Sequence, residues 1–232
     1  RQYFLPQPFE DAPLHRDLMQ DLQALLTNDN KRLVRATPRG FAKTTICAKD
    51  FMLWLACTKQ CRDMLYISDT EALAIDVLDK VKREVEHNAR IVEEFGAMAQ
   101  HSEKWSQTYI GLPNGVKIRG KGRGHQIRGF HPDLVILDDP ENDESVRSEQ
   151  QRRDLEEWFF KSLLGAVDET VPVIVLGTIF HPLCLIQKLI ERVERHELPW
   201  SAKVYKARIP EEGQPTLWPA RWSRAQLLAR KQ

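Results

Sequence analysis

Five side chains have the types and spacing to handle a polyanion: Arg39, Lys43 and Thr44 in one turn, and the adjacent carboxylates Asp138 and Asp139 about ninety residues later. The run RLVRATPRGFAKTT, residues 32–45, begins with an apolar, β-branched stretch, turns through 37–42, and enters a helical pattern from 43 to about 56. Strand, loop and helix in that order make an anion site, because unpaired backbone N–H groups and the positive end of the helix dipole face the loop. Lys43 would reach the β- and γ-phosphates of a nucleotide as a point charge, and the Thr44 hydroxyl would hold Mg²⁺. The loop comprises Thr37, Pro38, Arg39, Gly40, Phe41, Ala42, Lys43, Thr44 and Thr45. Against GxxxxGK[ST], Thr37 replaces the first glycine and Ala42 the second, and Gly40 alone remains. The competing reading is an ordinary helix start with Thr44 or Thr45 near its cap.

The carboxylates shift that balance. Leu134 to Leu137 form a continuous apolar run between Pro132 and Pro140, the pattern of a strand buried on both faces of a parallel sheet. Asp138 and Asp139 then fall at its C-terminal end, where open α/β sheets bind ligands. Asp138 would hold Mg²⁺, directly or through water, and Asp139 would orient and deprotonate an attacking water. Paired acids after a strand also serve as caps and turn residues. A further β-branched run, 173–176, ends in Gly177 and Thr178. Thr178 would sense the γ-phosphate and pass its presence to a moving part, or else cap a following helix. Together these stretches describe an ATP-hydrolysing site.

The ordered set PRGFAKTT, GKGRGHQIRGFHPDLVILDDP and VIVLGTIFHP resembles the ATPase domain of tailed-phage terminase large subunits, the motors that move double-stranded DNA into preformed capsids. The matching motifs run from about Phe9 to His181. The resemblance implies a P-loop NTPase fold of the ASCE type: α/β, with a mostly parallel sheet flanked by helices on both faces. In that family a phosphate loop with an arginine before its glycine is the norm, so Arg39 would touch the nucleotide phosphates. ATP and Mg²⁺ are the implied cofactors. Double-stranded DNA, a portal protein, a small terminase subunit and further copies in a ring, a pentamer by resemblance, are the implied partners. The implied place of action is the host cytoplasm, transiently docked on the procapsid. Many members carry glutamate where this chain has Asp139, which makes Glu141, just beyond Pro140, the second choice for the base. Asp143 and Glu144 read as solvated or capping charges.

Lys117, Arg119, Lys121, Arg123 and Arg128, with His125, crowd a segment without an acid, while the whole chain has a formal charge of only +1. Three uses remain open for it: contact with DNA phosphates; an arginine finger for a neighbouring subunit's ATP; or a solvated basic loop, with Lys117, Arg119 and Lys121 read as a DNA contact or a contact in trans. By resemblance to ring-forming motors, Arg128 or Arg123 is favoured as a finger. Glycines 120, 122, 124 and 129 suggest a segment that is mobile or closely packed on a phosphate, and Asn114-Gly115 signals a hairpin turn before it. Proline-rich residues 3–15 resemble the adenine-side arm of such motors, with Gln7 reading the base edge.

The remaining elements must position these groups. Helical spacing predicts helices over 14–27, 71–87 (capped by Asp69), 145–167 and 182–196, and strands over 64–68 and 202–205. With 232 residues and 42% hydrophobic content, one α/β domain over 1–209 is expected, with 210–232 opening a linker to a nuclease domain. Beginning at Arg1, the chain reads as an excised domain, without nuclease activity of its own. No run is apolar for long enough to span a membrane. Cys47, Cys57, Cys61 and Cys184 lack zinc-site spacing and read as reduced core thiols in a cytosol-like compartment. Two other functions compete: a helicase or other nucleic-acid-remodelling ATPase, and a structural protein that holds a nucleotide with little hydrolysis.

Overall fold

The computed structural model describes residues 4–5, 9–27, 31–100, 104–127 and 129–229. Eight strands form one sheet in the order β3-β4-β5-β2-β6-β7-β1-β8. Two of them, β6 (Leu134–Asp138) and β7 (Val173–Gly177), are the continuous apolar runs of the sequence and are buried at every position, and β1 (Arg32–Ala36) is the shorter run before the loop. Successive side chains point to opposite faces, so each strand feeds two cores. Leu33, Ile136 and Ile174 join one core, while Val34, Val135, Leu137, Val173 and Val175 join the other. β2 (Asp63–Ser68) pairs in parallel with β6, and β8 (Ser201–Val204) in parallel with β1. β7 lies between β1 and β6, with Ala36 opposite Gly177 and Asp138 opposite Leu176. The C-terminal ends of the three strands are therefore level, and the residues that follow them meet.

Helices cover both faces. α1 (Pro13–Thr27) and the helix that follows the loop after β1 pack into the first core. That helix is not uniform: Thr45–Asp50 form a π-helical turn, followed by α2 (Phe51–Thr58). Lys59 ends it in a left-handed conformation at φ +56°. α3 (Glu71–His87) starts at Thr70, whose hydroxyl accepts from the Leu73 N–H at 3.3 Å. The expected cap, Asp69, is instead engaged by Arg123 and Asn142. α4 (Ala89–Phe95) follows, started by the side chain of Asn88.

The first part of the basic segment, Lys117–Gly122, is an ordered strand. β3 (Lys104–Ser106) and β4 (Tyr109–Gly111) lead through a turn at Asn114-Gly115 into β5 (Lys117–Gly122), which runs antiparallel to β4 and parallel to β2. Its glycines serve helix packing: a Cβ on Gly120 would lie 3.1 Å from Leu78, and one on Gly122 would lie 2.7 Å from the backbone nitrogen of Glu71.

The single helix expected over 145–167 is broken. A 3₁₀ turn at Ser145–Arg147 gives way at Ser148, which is extended and caps α5 (Glu149–Glu157) by accepting from the Gln151 N–H. A π-helical turn at Trp158–Leu163 and a 3₁₀ turn at Leu164–Ala166 complete the stretch. α6 (Leu185–Glu194) packs with α5 in the second core. Described residues beyond Pro210 return to the loop after β1. Trp218 is buried among His15 and Phe41, its indole N–H donates to the Glu10 carbonyl at 2.8 Å, and α7 (Arg224–Ala229) adds Leu227 to the first core. No helix among the described residues is long and apolar enough to cross a membrane. All four cysteines are free; burial raises the thiol of Cys57 to about 11 and that of Cys61 to about 12.

Candidate functional site

The loop after β1, residues 37–44, is held at both ends. Thr37 donates its N–H to the Gly177 carbonyl at 3.0 Å, tying the end of β1 to β7, and the Ile46 N–H reaches the Ala42 carbonyl to start the helix. Between them Phe41 is buried against Trp218 and Trp222 and so anchors the loop to the core. Its carbonyl lies 3.3 Å from His15 Nε2. Because His15 Nδ1 accepts from the Ala12 N–H, Nε2 carries the proton and donates to Phe41. Gly40 has φ +81° and Ala42 has φ +60°. Ala42 thus adopts the left-handed conformation that a glycine would take at the same place in the usual loop. A side chain there costs about 1–2 kcal/mol.

Lys43 is buried and donates to the carboxylate of Asp139, which brings together the two stretches singled out in the sequence. Beside them Asp138 is 2% exposed. Its Oδ2 accepts from the Tyr66 hydroxyl at 3.1 Å, while its Oδ1 is buried with no hydrogen-bond partner among the described residues. Burial pushes its carboxyl up to about 6, the Lys43 ammonium opposes that rise, the Asp139 carboxylate adds to it, and the Thr44 and Tyr66 hydroxyls oppose it. A buried carboxylate with one oxygen unengaged next to a threonine hydroxyl is a donor set for a hard cation with oxygen ligands. The hydroxyl of Thr37, also buried and without a partner among the described residues, lies at the start of the same loop.

Asp139 leaves β6 at φ +42°. Its N–H donates to the Leu176 carbonyl at 3.0 Å, and its Oδ1 accepts from the Thr178 N–H at 3.2 Å. The Thr178 hydroxyl in turn donates to the Thr37 carbonyl at 3.0 Å. Thr178 therefore bridges the loop after β1 and Asp139. It caps no helix, since α6 begins at Leu185 behind Cys184.

Other expected groups face elsewhere. Glu141 is buried and accepts from the Leu185 N–H at 2.5 Å, so its carboxylate serves the start of α6; burial raises its pKa and that backbone bond opposes the rise. Arg39 is exposed, 3.4 Å from Asp143 and over the ring of Phe180. Arg123 pairs with Asp69 at 2.5 Å, and Asp69 also accepts from Asn142, which joins the ends of β5 and β2 to the loop after β6. Arg119 pairs with Asp63, and Lys121 lies 3.7 Å from Glu71. Gln7 and Arg128 lie outside the described residues.

Sequence reasoning missed Tyr66 and the C-terminal contribution. A cleft of about 270 Å³ runs from Gly40–Thr45 to Phe9, Asp11, Trp218 and Arg221. The one signal for it was WPARW at 218–222, aromatic residues around an arginine in an otherwise proline-rich tail.

No protein-family profile and no curated protein matches the sequence. Solved structures do. The HK97 bacteriophage large terminase superposes with a TM-score of 0.54 and 18% identity, over 90% of this chain and 42% of that one. The large terminase of a thermophilic bacteriophage gives a TM-score of 0.57 and 10% identity, over 97% of this chain and 50% of that one. The fold is that of the phage large terminases. It is an α/β P-loop fold with a mostly parallel sheet, and the chain spans half or less of the length of the terminases it matches.

Proposed function

We propose that this chain is an Mg²⁺-dependent ATP hydrolase, and that it powers translocation of double-stranded viral DNA into a procapsid as the motor part of a large terminase. The observation that carries the reading is the convergence of Lys43, Thr44, Asp138 and Asp139 at the level ends of β1, β6 and β7, tied together by Thr178. The fold shared with two phage large terminases supports the viral DNA-packaging part.

Each residue has a defined task. Backbone N–H groups of the loop and the ammonium of Lys43 bind the phosphates, which draws Lys43 from Asp139. Thr44 and Asp138 would hold Mg²⁺, which would offset the charge on the phosphates. Released from Lys43, the Asp139 carboxylate orients a water and accepts its proton as the water oxygen bonds to the γ-phosphorus and the bond from that phosphorus to the β–γ bridging oxygen breaks, so that ADP leaves and inorganic phosphate forms. Thr178 carries a change at Asp139 to the Thr37 carbonyl and so to the loop. Arg39, exposed at the loop, closes on the phosphates. DNA, a portal protein, a small terminase subunit and further copies of the chain in a ring are the partners of this reading, and the host cytoplasm is its setting.

Phosphate release from MgATP, followed over a hundredfold range of protein concentration, tests the proposal. Turnover is expected in the parent chain and lost in Lys43→Ala and Asp139→Asn. Full activity in Lys43→Ala would overturn the assignment. A rate rising faster than linearly with concentration would support an arginine supplied by a neighbouring copy.

A further inference from the structure

The cleft beside the phosphate loop has two chemically different ends. One is the loop itself, with Lys43, Thr44 and Thr45; the other is a wall of Phe9, Trp218 and Arg221. A ligand that matches both carries a polyanion at one end and a planar aromatic system at the other. We propose that Phe9, Trp218 and Arg221 seat the base of the nucleotide, so that the C-terminal segment supplies two of the three base-binding side chains. The inference rests on the phosphate-site reading above and extends it to residues more than two hundred positions from Phe9 in the chain.

Arg221 is the central group. Its guanidinium lies 5.1 Å from the ring centre of Trp218, 5.2 Å from that of Trp222 and 5.6 Å from that of Phe9. No carboxylate among the described residues forms an ion pair with it. A guanidinium is planar, weakly hydrated and stacks on aromatic faces, so one held against rings instead of acids presents a flat cationic surface to the cleft. Phe9 is 38% exposed at the cleft, unusual for so large an apolar ring. It meets Trp218 edge-on at 82°, which leaves a ring face clear of Trp218.

The wall is built, not draped. Trp218 is 5% exposed and bonded to the Glu10 carbonyl, the Arg221 and Trp222 N–H groups both reach the Trp218 carbonyl, and the Thr216 hydroxyl donates to the Trp222 carbonyl at 2.6 Å. Trp222 lies over Gly40, 3.4 Å from where a Cβ would stand, so the same turn that presents Arg221 also backs the phosphate loop. Stacking recognises any base by its π-face. The seat therefore selects for a nucleoside over a bare polyphosphate, more strongly than for one base over another.

Dissociation constants of MgATP and of Mg-tripolyphosphate, which lacks the nucleoside, separate the two ends of the cleft. Arg221→Ala and Phe9→Ala are expected to weaken MgATP about 5- to 100-fold, the range that loss of one stacking contact implies, and to leave tripolyphosphate within about twofold. Lys43→Ala is expected to weaken both ligands. Arg221→Lys keeps the charge, loses the plane, and is expected to resemble Arg221→Ala; it also serves if the alanine variant fails to fold. Equal losses for both ligands would put Arg221 on the phosphates and overturn the base seat. Unchanged MgATP affinity would overturn it as well, while leaving the phosphate site standing. A parent chain that binds neither ligand would overturn both readings.

Discussion

The ammonium of Lys43 donates to the carboxylate of Asp139, joining the first turn of the phosphate-loop helix to the residue just past β6. Under the proposed function the polyphosphate would compete with Asp139 for this ammonium, which holds the carboxylate in its absence. The backbone at Asp139, at φ +42°, limits what can replace it. Asparagine tolerates the left-handed region and a β-branched residue does not. Asp139→Asn is therefore expected to melt near the parent and to lose about 10²- to 10⁴-fold in kcat, the usual contribution of a general base. Asp139→Val is expected to lose activity and stability together. Thermal melts and steady-state kinetics check both, and an asparagine variant with parental kcat would remove Asp139 from the chemistry.

Thr178 connects Thr37 to Asp139 through one hydroxyl and one N–H. Thr178→Val removes the hydroxyl bond and keeps the backbone one. Loss of a single neutral hydrogen bond corresponds to about 1 kcal/mol, so kcat is expected to fall several-fold with KM little changed. A rise in KM at constant kcat would assign Thr178 to binding and remove it from coupling.

Asp138 gives a pH signature of its own. Burial raises its carboxyl from the ordinary 3.8 to about 6 in the folded chain. The folded state therefore holds the proton more tightly, and this stabilisation is complete below pH 3.8 and is lost as pH rises through 6. In metal-free buffer the stability of the parent minus that of Asp138→Asn is expected to fall across this interval and to level off above it. Denaturant melts at a series of pH values read the difference. A flat difference would mean that Asp138 ionises as an ordinary exposed acid.

Ala42, at φ +60°, carries a side chain where glycine is conformationally suited. Ala42→Gly relieves the left-handed strain but widens the unfolded ensemble, which offsets part of the gain. A net increase of under about 1 kcal/mol is expected, equivalent to a rise in Tm of roughly 2–4 °C at most. A clear fall in Tm would show that the methyl group is held by packing that the strain argument omits.

The central strands were legible because their burial on two faces leaves continuous β-branched runs, and because Pro132, Pro140 and Pro182 fence them. Lys43, Asp138, Asp139 and Thr178 were legible for the same reason: each stands at the end of a readable strand or in the loop that follows one. The break at Ser148 was harder, since its flanks are both helix-forming and only the cap geometry divides them. π-Helical turns leave no period of their own, so those at Thr45–Asp50 and Trp158–Leu163 were absorbed into ordinary helices. The Arg221 wall depends on contacts between the two ends of the chain, which no local pattern encodes.

Along β5, Lys117, Arg119 and Lys121 occupy alternate positions and so share one face, while Ile118, Gly120 and Gly122 turn to the other. Just past the strand, Arg123 extends the cationic row. Arg119, Lys121 and Arg123 already have carboxylate company in Asp63, Glu71 and Asp69. Condensed ions leave a nucleic acid when unpaired cations take their place, and that release sets how steeply affinity responds to ionic strength. Cations whose counterions are fixed in the fold displace few mobile ones. Three cations of this stretch thus carry their counterions within the fold, and any phosphate that approaches them competes with Asp63, Glu71 and Asp69.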